Sequence, residues 1–144
     1  MLVQQIAVFL ENKKGRIQDF TEILALNGVD LIAMSIADTS EYGILRAITS
    51  DNAKVLELAK KAGFTAACND LIGISVDDKP GGLNAALKAV SDKGIDIEYL
   101  YSFAKADGKA LILIRVEDPT QAIEVLKTID HIELITNTQV LGGK

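Results

Sequence analysis

The sequence is poor in the residue types that support metal binding, disulfides and base stacking. Its 144 residues include one cysteine, one histidine and no tryptophan, and aromatic residues make up 5%. A single cysteine, Cys68, excludes an intramolecular disulfide, so an oxidising compartment is not indicated. Its apolar surroundings predict a small core residue. His131 has no cysteine partner nearby and no CxxC pair is present, so no metal site is predicted.

Positive charge and long apolar runs are also scarce. Lysine and arginine number 15 against 20 acidic residues, for a net charge of −5. This sign argues against a nucleic-acid partner, because phosphate-backbone binding needs clustered cations. No stretch approaches the roughly 18 apolar residues of a membrane span. The first residues also lack the basic leader and cleavage site of a signal peptide. We therefore expect a cytoplasmic protein without a membrane or nucleic-acid partner.

What the sequence does contain is an internal repeat. A shift of 66 residues superimposes glycines, apolar residues and an aspartate of the two halves: Gly15 on Gly81, Leu24 on Val90, Gly28 on Gly94 and Asp30 on Asp96. After an expected two-residue difference in a hairpin, a shift of 68 superimposes Val55 on Ile123, Leu58 on Leu126 and Phe64 on Ile132. The repeat predicts two domains, residues 1–69 and 70–144.

Each half shows the hydrophobic periods of two helices and four strands, in the order β-α-β-β-α-β. Ile6, Val8 and Leu10 alternate as in a strand, and Leu83, Ala86, Leu87 and Val90 recur with helical spacing. The last strands are predicted in "FTAAC" and "IELITNTQV". Right-handed crossovers then place both helices on one face of an antiparallel four-stranded sheet. The predicted fold class is α+β, with two tandem ferredoxin-like units that we expect to pair side by side.

The loop after the first strand is the best candidate site in each half. It comprises residues 11–15 in the first half and 77–82 in the second, and it ends where a helix begins. Helix amino termini present unpaired N–H groups that favour an anion, and glycines let a ligand approach the backbone. Asn12 and Asp78, at matched positions, could take an ammonium group. A free amino acid carries both charges.

Other interpretations of this loop remain open at this point. Asn12 and Asp78 are also good helix N-caps, and Asp77 with Asp78 could hold Mg²⁺. The loop lacks the Gly-Lys-Ser/Thr ending of a phosphate-binding P-loop. A single histidine excludes a Ser-His-Asp set, and no acid pair sits where burial would plainly raise one pKa. The sequence therefore gives no indication of an enzyme.

The duplicated pattern, with "ENKKG" and "DDKPGGL" before the first helices and "VDL" and "IDI" opening the second strands, resembles the ACT domain. The resemblance spans the whole chain as two tandem copies. It implies that one domain supplies its first loop and helix start, and that a partner domain supplies the beginning of its second strand. The implied ligand-binding residues are Asn12, Gly15, Asp30, Asp78, Gly81, Gly82 and Asp96. Lys14, Arg16 and Asp78 depart from the family's usual residues, so the two pockets are not expected to be equivalent.

The resemblance also implies a function. ACT domains are regulatory modules that bind amino acids or similar small effectors, usually where two domains pair. We therefore expect a non-catalytic sensor of a free amino acid, without a cofactor, that forms a homodimer and regulates a metabolic enzyme or transporter in trans. The alternative is a ligand-free scaffold in which paired sheets bind a partner protein.

Overall fold

The computed structural model describes residues 2–142, so residues 1, 143 and 144 of the predicted domains lie outside the described part. In chain order the elements are β1 (Val3–Glu11), α1 (Arg16–Leu26), β2 (Leu31–Asp38), β3 (Tyr42–Thr49), α2 (Asn52–Lys61), β4 (Thr65–Asp77), α3 (Gly82–Asp92), β5 (Ile97–Ala106), β6 (Lys109–Val116), α4 (Pro119–Leu126), β7 (Glu133–Ile135) and α5 (Asn137–Val140). No helix within residues 2–142 is long and apolar enough to cross a membrane.

Residues from Gln4 to Asn69 form one compact unit, called the first unit below. Its strands follow the order β2-β3-β1, with β4 next to β1, and both β3 pairings are antiparallel. The alternating residues of β1 meet one apolar stripe from each helix in a single core, whose members include Ile6, Val8, Leu10, Phe20, Leu24, Val55 and Ala59. Both helices therefore cover the same face of the sheet, as the periodicity predicts.

Residues 70–142, together with Leu2 and Val3, form the second unit. Its strand order is β7-β4-β6-β5, and every pairing is antiparallel. Its core repeats the arrangement of the first unit with different residues: Ile72, Ile74, Val76, Ala86, Val90, Ala122 and Leu126. Pro119 opens α4, where its missing N–H has no intrahelical acceptor to lose.

The α+β class and the antiparallel pairing are confirmed, but three expectations about the strands are wrong. The described residues form seven strands instead of eight, because the last strand of the first half and the first strand of the second are one continuous strand, β4. The predicted strand "IELITNTQV" is a strand only over Glu133–Ile135. A capping box between Thr136 and Gln139 then starts the short helix α5. Cys68 on β4 is exposed and is therefore not a core residue.

The change in the shift between equivalent residues of the two repeats does not come from the length of the hairpin. In β5 the pairing with β6 shifts between Ser102 and Ala104, so Phe103 is one extra bulged residue that β2 does not have at the equivalent place. The equivalent N-caps Asp51 and Asp118 are consequently 67 residues apart. The predicted shift of 68 is thus wrong for the second helices. A bulge cannot be seen in a hydrophobicity pattern, because it moves residues without changing their type.

Candidate functional site

The first helix of each unit begins without a side-chain cap. Gly15 precedes α1 with φ of 88°, and Gly81 precedes α3 with φ of 87°, so both adopt the left-handed conformation that favours glycine. The other three helices are capped by the side chains of Asp51, Asp118 and Thr136. Asn12 and Asp78 therefore do not act as N-caps, and the capping interpretation of the loops is wrong.

This geometry leaves backbone donors available at the start of α1 and α3. Within residues 2–142, the N–H groups of Ile17 and Gln18 have no acceptor, and neither do those of Leu83 and Asn84. Such groups carry the positive end of the helix dipole and bind carboxylates or phosphates. The loops thus place backbone N–H groups without an acceptor close to Asn12 and Asp78, and ligand binding there stays a prediction.

Asn12 and Asp78 are held by the hairpin that joins the second and third strands of their own unit. The Asn12 N–H donates to the carbonyl oxygen of Glu41 at 3.0 Å, and the Asp78 N–H donates to that of Gly108 at 2.9 Å. Their side chains differ. Asn12 Nδ2 donates to the Ser40 carbonyl at 3.5 Å, which leaves Oδ1 as an acceptor. Asp78 Oδ1 already accepts from Lys105 Nζ at 2.9 Å.

Gly82 is the tightest point of the second loop. A Cβ atom added there would lie 2.0 Å from the Asp77 carbonyl oxygen, so only glycine fits this turn. The first unit has Arg16 at the equivalent position, with a guanidinium 4.4 Å from the centre of the Phe64 ring and a side chain 29% exposed. The Arg16 Nε atom is buried and has no hydrogen-bond partner. The two loops therefore differ at this position both in the room that the backbone leaves for a side chain and in their surroundings.

In the second unit the equivalent region is an open cleft of about 170 Å³ beside the loop. Its lining includes Gly82 where the first unit has Arg16, and His131 and Ile132 near the place of Phe64. Asp77 and Asp130 also contribute, but no group of three His, Cys, Asp or Glu side chains within residues 2–142 could hold a metal ion. Asp77 and Asp78, for which Mg²⁺ binding was one alternative, each form an ion pair with a lysine, Lys109 and Lys105.

Asp77 is the most strongly engaged carboxylate of the second loop. Lys109 Nζ donates to its Oδ1 at 2.7 Å, and Lys79 Nζ lies 3.6 Å from Oδ2. The hydrogen bond from Lys109 is the main reason why the pKa of Asp77 is lowered, and the charges of Lys109, Lys79 and His131 act in the same direction. Asp77 thus fastens the loop to the start of β6.

We expect Asp77 to titrate below the ordinary aspartate pKa of 3.8. Because its pKa is lower in the folded than in the unfolded chain, its contribution to stability is complete above pH of about 4 and is lost as the pH falls through the folded-state pKa. Carbon-detected NMR titration of the carboxyl group measures this midpoint. The Lys109→Met variant should return it towards the ordinary value. An Asp77 midpoint that is the same in both proteins would contradict the assignment.

The predicted site residues Asp30 and Asp96 lie directly before the second strands, β2 and β5, and both are exposed. They are not near the loop of their own unit. Glu11 pairs with Tyr42, whereas Leu31 pairs with Thr49, seven residues further along β3. At about 3.4 Å per residue this places Asp30 roughly 24 Å from the loop. The second unit has the same separation along β6, so a site that combines a loop with the start of a second strand needs two units.

One acidic residue beside the first loop was not predicted. A small cleft of about 70 Å³ is lined by Asn12, Lys13, Ile17 and Asp38, together with parts of β1 and β3. Asp38 is the last residue of β2. Comparison of the two repeats does not identify it, because the bulge in β5 shifts its equivalent residue by one position. A shift of 66 compares Asp38 with Ala104 instead of Lys105.

Comparison with known proteins agrees with this architecture. A protein of Bacteroides thetaiotaomicron, BT0572, has a crystal structure with 38% sequence identity and a TM-score of 0.89, over 97% of this chain and 96% of that one. The regulatory subunits of aspartate kinase from Thermus thermophilus and Thermus flavus share the fold. Their identities are 16% and 19%, their TM-scores 0.63 and 0.64, and each match covers 88% of this chain and 92% or 90% of the other.

No curated protein matches the chain significantly. The family profile described as ACT domain pair matches residues 1–141. The match includes both loops, both uncapped helices and both hairpins that hold Asn12 and Asp78. The chain belongs to the ACT domain pair family.

Proposed function

We propose that this chain is a non-catalytic sensor that binds a free amino acid through its two ACT domains, residues 1–69 and 70–144. The observation that carries the proposal is the contrast between its helices. The two helices that follow the first loops begin at Gly15 and Gly81 without a cap, whereas α2, α4 and α5 are all capped by side chains. Helix starts without a cap, in a family of regulatory domains, suit a ligand carboxylate.

The remaining site residues suit the other end of a zwitterion. In the proposed complex the effector's carboxylate accepts hydrogen bonds at the start of α1 or α3, near Gly15, or Gly81 and Gly82. Its ammonium meets Asn12 or Asp78. Asp30 or Asp96 of a second ACT unit completes the site, because each lies too far from the loop of its own unit to do so.

Pairing with another ACT unit is supported by an exposed strand edge. Within the first unit β2 has β3 as its neighbour on one side only. It carries Met34 and Ile36, which are 48% and 42% exposed. Unpaired backbone groups beside apolar side chains favour addition of a further strand. We propose that the chain forms a homodimer and that effector binding favours one arrangement of the ACT units.

We propose that the regulatory output reaches another molecule. The proposed partner is a metabolic enzyme or transporter that binds one arrangement of the sensor better than another. The coupling between effector and partner cannot exceed the effector's own preference for that arrangement. No reaction is assigned to the chain itself.

Thermal unfolding in the presence of each of the twenty amino acids tests the proposal. An effector at 100 times its dissociation constant raises the free energy of unfolding by about 2.7 kcal/mol. We expect at least one amino acid to raise the melting temperature, while its N-acetyl and amide derivatives, which lack the ammonium or the carboxylate, do not. A flat response to all twenty at millimolar concentration would contradict the sensor and favour the protein-binding scaffold.

A further inference from the structure

We infer that Asp38 binds the effector's ammonium in the first unit. In the second unit the side chain of Lys105, from the same chain, takes the place of that ammonium. The chain would then take one amino acid, at the first unit. This inference rests on the proposed function and adds to it a residue, a stoichiometry and a reason for the difference between the repeats.

The equivalence of Asp38 and Lys105 follows from the strand register. Asp38 pairs with Gly43, and Gly43 pairs with Leu10, two residues before Asn12. In the second unit Lys105 pairs with Ala110, and Ala110 pairs with Val76, two residues before Asp78. Leu10 and Val76 are core residues that pack under the helices. Their cross-strand neighbours Asp38 and Lys105 therefore lie on the helix-covered face of the sheet.

The first unit leaves this place open for a cation. Asn12 and Asp38 line the same small cleft as Ile17, which belongs to the uncapped first turn of α1. The Asp38 carboxylate has no hydrogen bond or ion pair with any residue from 2 to 142. Lys13, which also lines the cleft, forms an ion pair with Glu11 at 2.7 Å. The site therefore offers a carboxylate, an amide oxygen and helix N–H donors to one ligand.

In the second unit the equivalent residue is the cation Lys105, which already forms an ion pair with Asp78. Lys105 Nζ lies 2.9 Å from Asp78 Oδ1, and Lys109 holds Asp77 from the other end of the same hairpin. The Asp78 N–H also donates to the Gly108 carbonyl oxygen of this hairpin. An incoming ammonium would have to displace a lysine that its own chain supplies at high local concentration.

The charges at the two equivalent pairs lead to the same conclusion. Asn12 with Asp38 carries a net charge of −1, whereas Asp78 with Lys105 is neutral. Only the first pair has a carboxylate that no lysine already engages, so a cationic group gains an unpaired opposite charge there, and hydrogen bonds to charged groups are the stronger ones. The sequence pattern alone favours Asp78 as the ammonium acceptor. The observed Lys105 contact reverses that preference.

Isothermal titration calorimetry with the twenty free amino acids, each titrated alone, tests the inference. We expect one bound molecule per chain. Asp38→Asn should weaken binding on the order of tenfold, as for a lost charged hydrogen bond, and Asp38→Lys, which copies the second unit, should weaken it further. Asp92→Lys makes the same charge change on the exposed surface of α3 and should leave the affinity unchanged. The double variant Asp78→Asn with Lys105→Asp copies the first pair and should bind two molecules.

Each other result has a distinct meaning. Binding that is unaffected in both Asp38 variants, or two sites in the unaltered chain, would overturn the inference and leave the proposed function intact. A double variant that folds and still binds one molecule would show that Lys105 does not prevent effector binding at the second unit. This result would also overturn the inference. If no amino acid binds the unaltered chain, the proposed function itself fails, and the inference fails with it.

Discussion

Replacing Phe20 with alanine is expected to lower the free energy of unfolding by about 3–5 kcal/mol. Phe20 is 1% exposed and lies at the centre of the first unit's core. Its ring meets Phe64 edge to face, with centroids 5.3 Å apart. The Arg16 guanidinium also lies over the Phe64 ring, 4.4 Å from its centroid. Truncation would leave a cavity and would also remove an aromatic contact. Urea denaturation followed by circular dichroism measures the change.

The matched control for this prediction is Ile17→Ala. Ile17 lies one turn earlier on the same helix and is 48% exposed, so its truncation removes little buried surface. The expected change is within about 0.5 kcal/mol. An equal loss in the two variants would mean that α1 does not pack against the sheet as described.

The second large effect is expected for Gly82→Ala, which should lower the free energy of unfolding by about 1–3 kcal/mol. The new methyl group would meet the Asp77 carbonyl oxygen, which belongs to the backbone and cannot rotate away. The loop must therefore shift, and the hydrogen bond from the Gly82 N–H to the Lys79 carbonyl, 3.0 Å long, is strained or lost. Chemical denaturation measures the cost.

Asn84→Ala is the control for this loop. Asn84 lies two residues further into α3 and is exposed, and alanine is a good helix former there. The control should be neutral or slightly stabilising. A Gly82→Ala variant as stable as this control would show that the second loop has room for a side chain, as the first loop has for Arg16.

The secondary structure and the core could be predicted because the same hydrophobic pattern occurs independently in both repeats. Ile6, Val8 and Leu10 in β1 and Ile72, Ile74 and Val76 in β4 carry the same alternation, and all six are buried. What the pattern could not reveal was geometry that leaves residue types unchanged. Phe103 looks like any strand residue, yet it is the bulge that offsets the second repeat.

The candidate site could be predicted in part for a similar reason. A loop rich in glycine before an amphipathic helix is visible in sequence, and both loops lead into helices whose starts lack a side-chain cap. The ion pair of the Asp78 carboxylate could not be predicted from the sequence, because its partner Lys105 lies 27 residues away on a hairpin. Asp38 was missed for the same reason, since only the strand register places it beside Asn12.

Amide NMR during titration with an amino acid that raises the melting temperature tests most directly whether the uncapped helix start is the carboxylate site. We expect the largest shifts at Ile17 and Gln18 in the first turn of α1. The first turns of α2 and α4 should move little, because Asp51 and Asp118 already occupy their donors. Saturable binding with unmoved signals for Ile17 and Gln18, Leu83 and Asn84 would contradict recognition of the effector at these helix starts.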